Sequence, residues 1–96
     1  MSNQQPDDHI EERLSRAISA FSRRQILRLL SEEELTVKDI AEKTNQSVSL
    51  ASRHLKLLHD LGFLSVKKIT PYKFYSLKFK ELKELLTIYD KVITKL

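Results

Sequence analysis

Ser49, Ser52, Arg53 and Lys56 recur at a spacing that turns them to one side of a helix. Their chemistry is that of a polyanion reader. An Arg fork can grip the N7 and O6 edge of guanine, while Ser hydroxyls and a Lys ammonium can hold phosphates. No acid is expected on that side. Ala51, Leu55, Leu58 and Leu61 recur at helical spacing on the other side, so the same segment must also face a core.

Other chemistries fit less well. Ser52, His54 and Asp60 are the residue types of a hydrolytic triad, but one helix cannot bring them into a nucleophile–base–orienter chain. Gly62 is the chain's only glycine and cannot build a phosphate-cradling loop. No paired acids mark a cleft, so no enzyme is expected. The chain has no cysteine, which excludes a disulfide framework and a thiolate metal site. His54 and His59 stand roughly 140° apart around a helix, and His9 lies in a distant acidic segment. No metal and no cofactor are expected. His54 itself reads either as a DNA contact or as a half-buried structural residue.

The elements that position these residues follow from capping and turn chemistry. Residues 1–7 read as a disordered tail and residues 8–96 as a single domain. Asp8-x-x-Glu11 opens a first helix over residues 8–20. Ser22-x-x-Gln25 predicts a second capping box, with a Phe21–Ile26 staple, for a helix from Arg23 to about Ser31. Thr36-x-x-Asp39 caps a third helix, Val37 to Thr44, and Leu35 before it can add a short strand residue. Asn45 sits where the chain turns and tolerates the left-handed conformation. Ser47 is the expected N-cap of the fourth helix, and Gly62 its C-terminal stop. Residues 36–61 are thus helix, tight turn, basic helix, the layout of a helix-turn-helix.

Residues 63–77 read as a hairpin wing, with strands at 63–68 and 72–77 and Pro71 near the tip. Alternation pairs Tyr75 with Leu77 on the core side and puts Tyr72 with Phe74 on the other, leaning on the last helix. That helix covers 78–96, with Phe79, Leu82, Leu86, Tyr89, Ile93 and Leu96 at a/d spacing and Leu85, Ile88 and Val92 widening the stripe. Together with Ile10, Leu14 and Ile18 of the first helix, this exceeds the apolar surface one small domain covers. A homodimer through Ile10, Leu14, Ile18, Leu82, Leu86, Tyr89, Ile93 and Leu96 is expected.

Charge follows the same division. The net charge is +4, and from Lys43 to Lys80 the only acid is Asp60. Acids gather at 7–12 and 32–34. A basic surface coinciding with a helix-turn-helix fits a polyanionic partner. No apolar run is long enough to span a membrane and no secretory signal precedes the domain, so a cytoplasmic location is expected.

The runs Ser22-Arg23-Arg24-Gln25-Ile26-Leu27-Arg28-Leu29-Leu30, Leu35 to Ala41, Ser52-Arg53-His54-Leu55-Lys56-Leu57-Leu58, Gly62-Phe63-Leu64 and Tyr75-Ser76-Leu77 resemble those of ArsR-like winged helix-turn-helix regulators. The resemblance implies a homodimeric transcription regulator, mainly α with a small β-hairpin (α+β), with its fourth helix in the major groove. Three departures stand out. Thr36 and Lys38 occupy the places where many metal-sensing members carry cysteines. The last helix has Asp90 but no histidine. Asn45 replaces the usual turn glycine. The fold survives these changes and metal sensing does not.

The expected function is sequence-specific binding of double-stranded DNA by a repressor reading an inverted repeat. Base readout is expected from Gln46, Ser49, Leu50, Ser52 and Arg53, with Val48 open between inward packing and a thymine contact. Phosphate contacts are expected from Lys56, Lys67, Lys68, Lys73 and the helix start at Ser47. The alternative is a winged helix serving as a protein–protein adaptor in a transcription complex.

Overall fold

The computed structural model of the protein describes residues 8–96. The tail expected at residues 1–7 lies outside the described residues. Five helices and one hairpin follow in the order α1 (Asp8–Ile18), α2 (Phe21–Leu30), α3 (Val37–Thr44), α4 (Val48–Asp60), β1 (Leu64–Ile69), β2 (Tyr72–Leu77) and α5 (Glu81–Ile93).

The helix-turn-helix is fixed by local bonds its sequence dictates. The Thr36 hydroxyl accepts from the Asp39 N–H and the Asp39 carboxylate accepts from the Thr36 N–H, both at 3.2 Å. That reciprocal pair starts α3. Asn45 then turns left-handed at φ 55°, and the Gln46 N–H donates back to the Ala41 carbonyl at 2.9 Å. The Ser47 hydroxyl accepts from the Leu50 N–H at 3.0 Å and starts α4. Gly62, at φ 98°, ends it. Its N–H donates to the His59 carbonyl and that of Phe63 to the Leu58 carbonyl, each at 3.0 Å. A Cβ on Gly62 would meet nothing within 4 Å, so the backbone angle and not crowding demands glycine.

α2 departs from expectation. It begins at Phe21, with Ala20 extended before it and no side-chain cap. Ser22 therefore lies inside the first turn, and the Ser22–Gln25 box does not form. Nor does the staple, since Ile26 is buried while Phe21 is exposed beneath the Arg24 guanidinium at 6.0 Å. The junction is capped from the other side. Arg23 donates to the Arg16 carbonyl from Nε at 3.0 Å and Nη2 at 2.6 Å, and Arg24 to the Ile18 carbonyl at 2.7 Å. The last carbonyls of α1 have no partner within their helix, and two cations at that negative end meet the need.

Ile26, Leu27, Ile40, Leu55 and Leu58 are fully buried where α2, α3 and α4 meet. β1 and β2 pair antiparallel from Leu64↔Leu77 to Ile69↔Tyr72, joined through Thr70-Pro71. Leu35 adds a single bridge to Tyr75, with N–H to carbonyl distances of 3.1 and 2.8 Å. The wing is a two-stranded sheet with this one bridge at the edge of β2. Tyr75 and Leu77 pack on the core as alternation predicts. Tyr72 and Phe74, with ring centroids 6.3 Å apart, lie beside Thr36, Val37 and Glu42 along α3, not on α5.

α5 is shorter than the expected 78–96, and only part of its expected interface stays outward. Leu82 and Leu86, placed in the dimer interface by sequence, are buried within the protomer, with Leu86 in the main core. The sequence shows one wide apolar stripe; α2 lies against only part of it. Leu85, Ile88 and Val92 are left exposed beside it, together with Ile93 and Leu96. α5 is held to α2 by Arg28, whose Nη2 and Nε reach the Asp90 carboxylate at 2.6 and 3.2 Å, and by Arg24 over the Tyr89 ring at 5.3 Å.

Candidate nucleic-acid interface

α4 buries Ala51, Leu55 and Leu58 and shows Ser49, Ser52, Arg53 and Lys56 to solvent. The acid-free face ends at its last turn. Asp60 lies on the same side as Lys56 and pairs with it at 3.0 Å, both side chains more than half exposed. An exposed i,i+4 pair is worth little, so a phosphate can displace Asp60 from the ammonium. No acid occupies the first turn of α4. Its leading N–H groups, apart from the one Ser47 satisfies, have no partner within the helix and suit a phosphate.

The wing closes one flank of this face. Ser52, Lys56, His59 and Asp60 form one wall of a groove, and Val66, Lys68, Lys73 and Tyr75 the other. Lys68 and Lys73 thus join the fourth helix. Lys67 does not. It projects from the opposite side of the hairpin, as strand alternation requires, and pairs with Glu34 at 3.2 Å.

Other expected residues fall differently. The Gln46 amide oxygen is buried without a hydrogen-bond partner, so that atom is not turned towards a base edge. Ser47 serves as the N-cap. Leu50 is exposed, and so is Val48, which excludes inward packing for Val48. His54 is half-buried. Burial, then the charges of Arg23 and Arg53, pull its pKa below the ordinary value. His59 is absent from the contacts expected from sequence, yet it lines the wing groove. The spacing carries a signal for it, since it follows Ser52 by seven and Lys56 by three along one helical stripe.

On α1, Ile10 is exposed and Leu14 half-buried, and both border Leu61, Gly62 and Phe63 just past the end of α4. Leu14 borders a groove with Phe63, Phe79, Leu82 and Leu85, so α1 and the start of α5 flank one apolar surface. Ile18 is half-buried on the core. Among the described residues no three His, Cys, Asp or Glu side chains come together as a metal site, and no helix is long and apolar enough to cross a membrane.

Five helices, a short bridged hairpin and a basic second helix in the helix-turn-helix make up the winged helix-turn-helix fold. Residues 22–66 match the family described as "Bacterial regulatory protein, arsR family". An uncharacterized HTH-type transcriptional regulator, YceK of Bacillus subtilis, is 35% identical over 80 residues, covering 81% of this chain and 80% of that protein. A cadmium resistance transcriptional regulatory protein, the CadC homolog of Staphylococcus aureus, is 38% identical over 71 residues, covering 73% of this chain but only 59% of that protein. The homodimeric winged helix-turn-helix DNA-binding domain of Mb0332 from Mycobacterium bovis superposes with a TM-score of 0.82 at 23% identity, covering 99% of this chain and 92% of that one. The chain belongs to the ArsR family of bacterial transcriptional regulators. Family and fold are those of DNA-binding regulators, not enzymes.

Proposed function

We propose that the protein is a cytoplasmic homodimeric repressor that reads an inverted repeat in double-stranded DNA, without a metal. The observation that carries this reading is the convergence of Ser49, Ser52, Arg53 and Lys56 with Lys68 and Lys73 on one side of α4 and its wing. Arg53 reads a guanine edge. Lys56, Lys68, Lys73 and the start of α4 hold phosphates, and occupancy of the site is enough to repress.

The dimer forms through Ile10 and Leu14 of α1 and through Leu85, Ile88, Val92 and Ile93 of α5. Exposed apolar surface of this extent needs a partner. The homodimeric M. bovis domain of the same fold supports a second copy as that partner. Two-fold symmetry then sets the two α4 helices about 34 Å apart, one turn of DNA.

Selection of bound sites from random duplex DNA tests the reading. An enriched inverted repeat, bound equally well with chelator or with added zinc, is the expected result. Failure to enrich any sequence would contradict DNA readout. A tenfold gain or loss with zinc would contradict metal independence.

A further inference from the structure

The first turn of α4 carries two apolar side chains that the protomer covers only in part. Val48 is 52% exposed and Leu50 37%. Both sit at the end of a recognition helix that meets base edges. They stand roughly 160° apart around the axis, on either flank of Ser49. Val48 shares its flank with Ser52, beside the wing groove; Leu50 lies next to Arg53.

We infer that Val48 and Leu50 read the C5 methyl groups of thymines, so that each half-site carries thymines on both sides of the base pair met by Arg53. The inference rests on the DNA-binding reading above. Apolar side chains cannot hold a phosphate. In the major groove the apolar feature on offer is the thymine methyl group. The two residues are also unlike a protein-docking patch. Ser47, Ser49, Ser52 and Arg53 surround and separate them, whereas the apolar surface along α5 is continuous.

Charge complementarity selects DNA as the occupant. The first turn has no acid, and Lys56, Lys68 and Lys73 stand along the same side of α4. The geometry is also rigid. Ser47 fixes the helix start through the Leu50 N–H, and a β-branched valine in a helix keeps essentially one rotamer. A side chain held this way can sense the C5 methyl group of thymine, which cytosine and uracil both lack.

Deoxyuridine isolates the methyl group, because it pairs as thymidine does and lacks only that carbon. The probe is the duplex enriched from random sequence by this protein, synthesised with thymidine and again with deoxyuridine at single positions. Two positions per half-site are expected to lose about fourfold in affinity each, the factor for burying one carbon of this size. Val48→Ala is expected to abolish the loss at one position and Leu50→Ala at the other. Both sites are exposed and alanine favours a helix, so the variants keep their fold. Equal binding of thymidine and deoxyuridine duplexes at every position would overturn this inference while leaving DNA binding intact. Losses that persist unchanged in both variants would also overturn it. If no duplex is enriched, the DNA-binding reading falls first and this inference with it.

Discussion

Lys68 and Lys73 stand directly opposite each other across the antiparallel ladder of the wing. Like charges at facing positions destabilise a hairpin. Both also face the groove beside α4, where a bound phosphate would relieve the repulsion. Replacing both by Gln is expected to leave thermal stability unchanged or slightly raised at low salt. The same variant is expected to weaken binding to every duplex and to flatten the salt slope by about one unit for each phosphate no longer neutralised. Calorimetry and a salt series of binding isotherms check the two halves.

Arg53 is expected to behave differently from Lys68. Arg53→Ala should relax specificity at one base pair per half-site, at a cost of roughly 1–3 kcal/mol on the selected duplex. Lys68→Ala should weaken selected and random duplexes alike. Titration of each variant with selected, point-mutated and random duplexes separates the roles. Equal weakening on all three by Arg53→Ala would assign Arg53 to a phosphate.

Gln46 buries an amide oxygen that has no partner. An unpaired buried polar group costs about 1–3 kcal/mol, and a leucine of similar volume removes it. Gln46→Leu is therefore expected to raise the melting temperature by roughly 4–8 °C for each kcal/mol recovered. DNA affinity is expected to stay the same. A loss of specificity would show that Gln46 swings out to a base after all.

The pH dependence of stability has a defined sign. Burial and the charges of Arg23 and Arg53 lower the His54 pKa below 6.5, so as pH falls below that value the unfolded chain takes up the proton first. Stability is thus fully present above 6.5 and declines as pH falls towards the folded pKa of His54. Hydrogen bonds from the Thr36 backbone and hydroxyl likewise hold the Asp39 carboxyl below 3.8, so its contribution is present above 3.8 and is lost as pH falls further. His54→Gln is expected to flatten the upper limb only, and Asp39→Asn the lower limb. Urea unfolding over a pH series checks both.

Local chemistry makes much of this architecture legible. Thr36, Asp39, Asn45, Ser47 and Gly62 each meet a backbone need their own side chain or its absence satisfies, so the turn and both flanking helices can be placed from sequence. Burial by neighbours is less legible. The periodicity of α5 marks a wide apolar stripe, but only tertiary packing decides that Leu82 and Leu86 go inward while Leu85 and Ile88 stay out. Alternation separates Lys67 from Lys68, but sequence alone does not say which side of the hairpin looks towards α4. The start of α2 escapes sequence reasoning for a related reason. Arg23 and Arg24 cap α1 from the following helix, an arrangement that serine-cap patterns do not reveal.

The dimer surface gives a further prediction. Leu85→Glu together with Ile88→Glu puts two carboxylates on the exposed side of α5 without touching the core. Light scattering at micromolar concentration is expected to show a dimer for the natural chain and a folded monomer for the variant. An unchanged dimer would place the interface elsewhere.

The central claim is that α4 and its wing read a particular DNA sequence as part of a two-fold dimer. Its most direct measurement is the affinity of the natural chain for the selected inverted repeat and for a scrambled duplex of the same composition, over a salt series with stoichiometry recorded. The account predicts two protomers per repeat and a preference of at least about a thousandfold at physiological salt. Equal affinity for both duplexes would reduce the basic face to non-specific binding, and no affinity for either would favour a protein-binding adaptor.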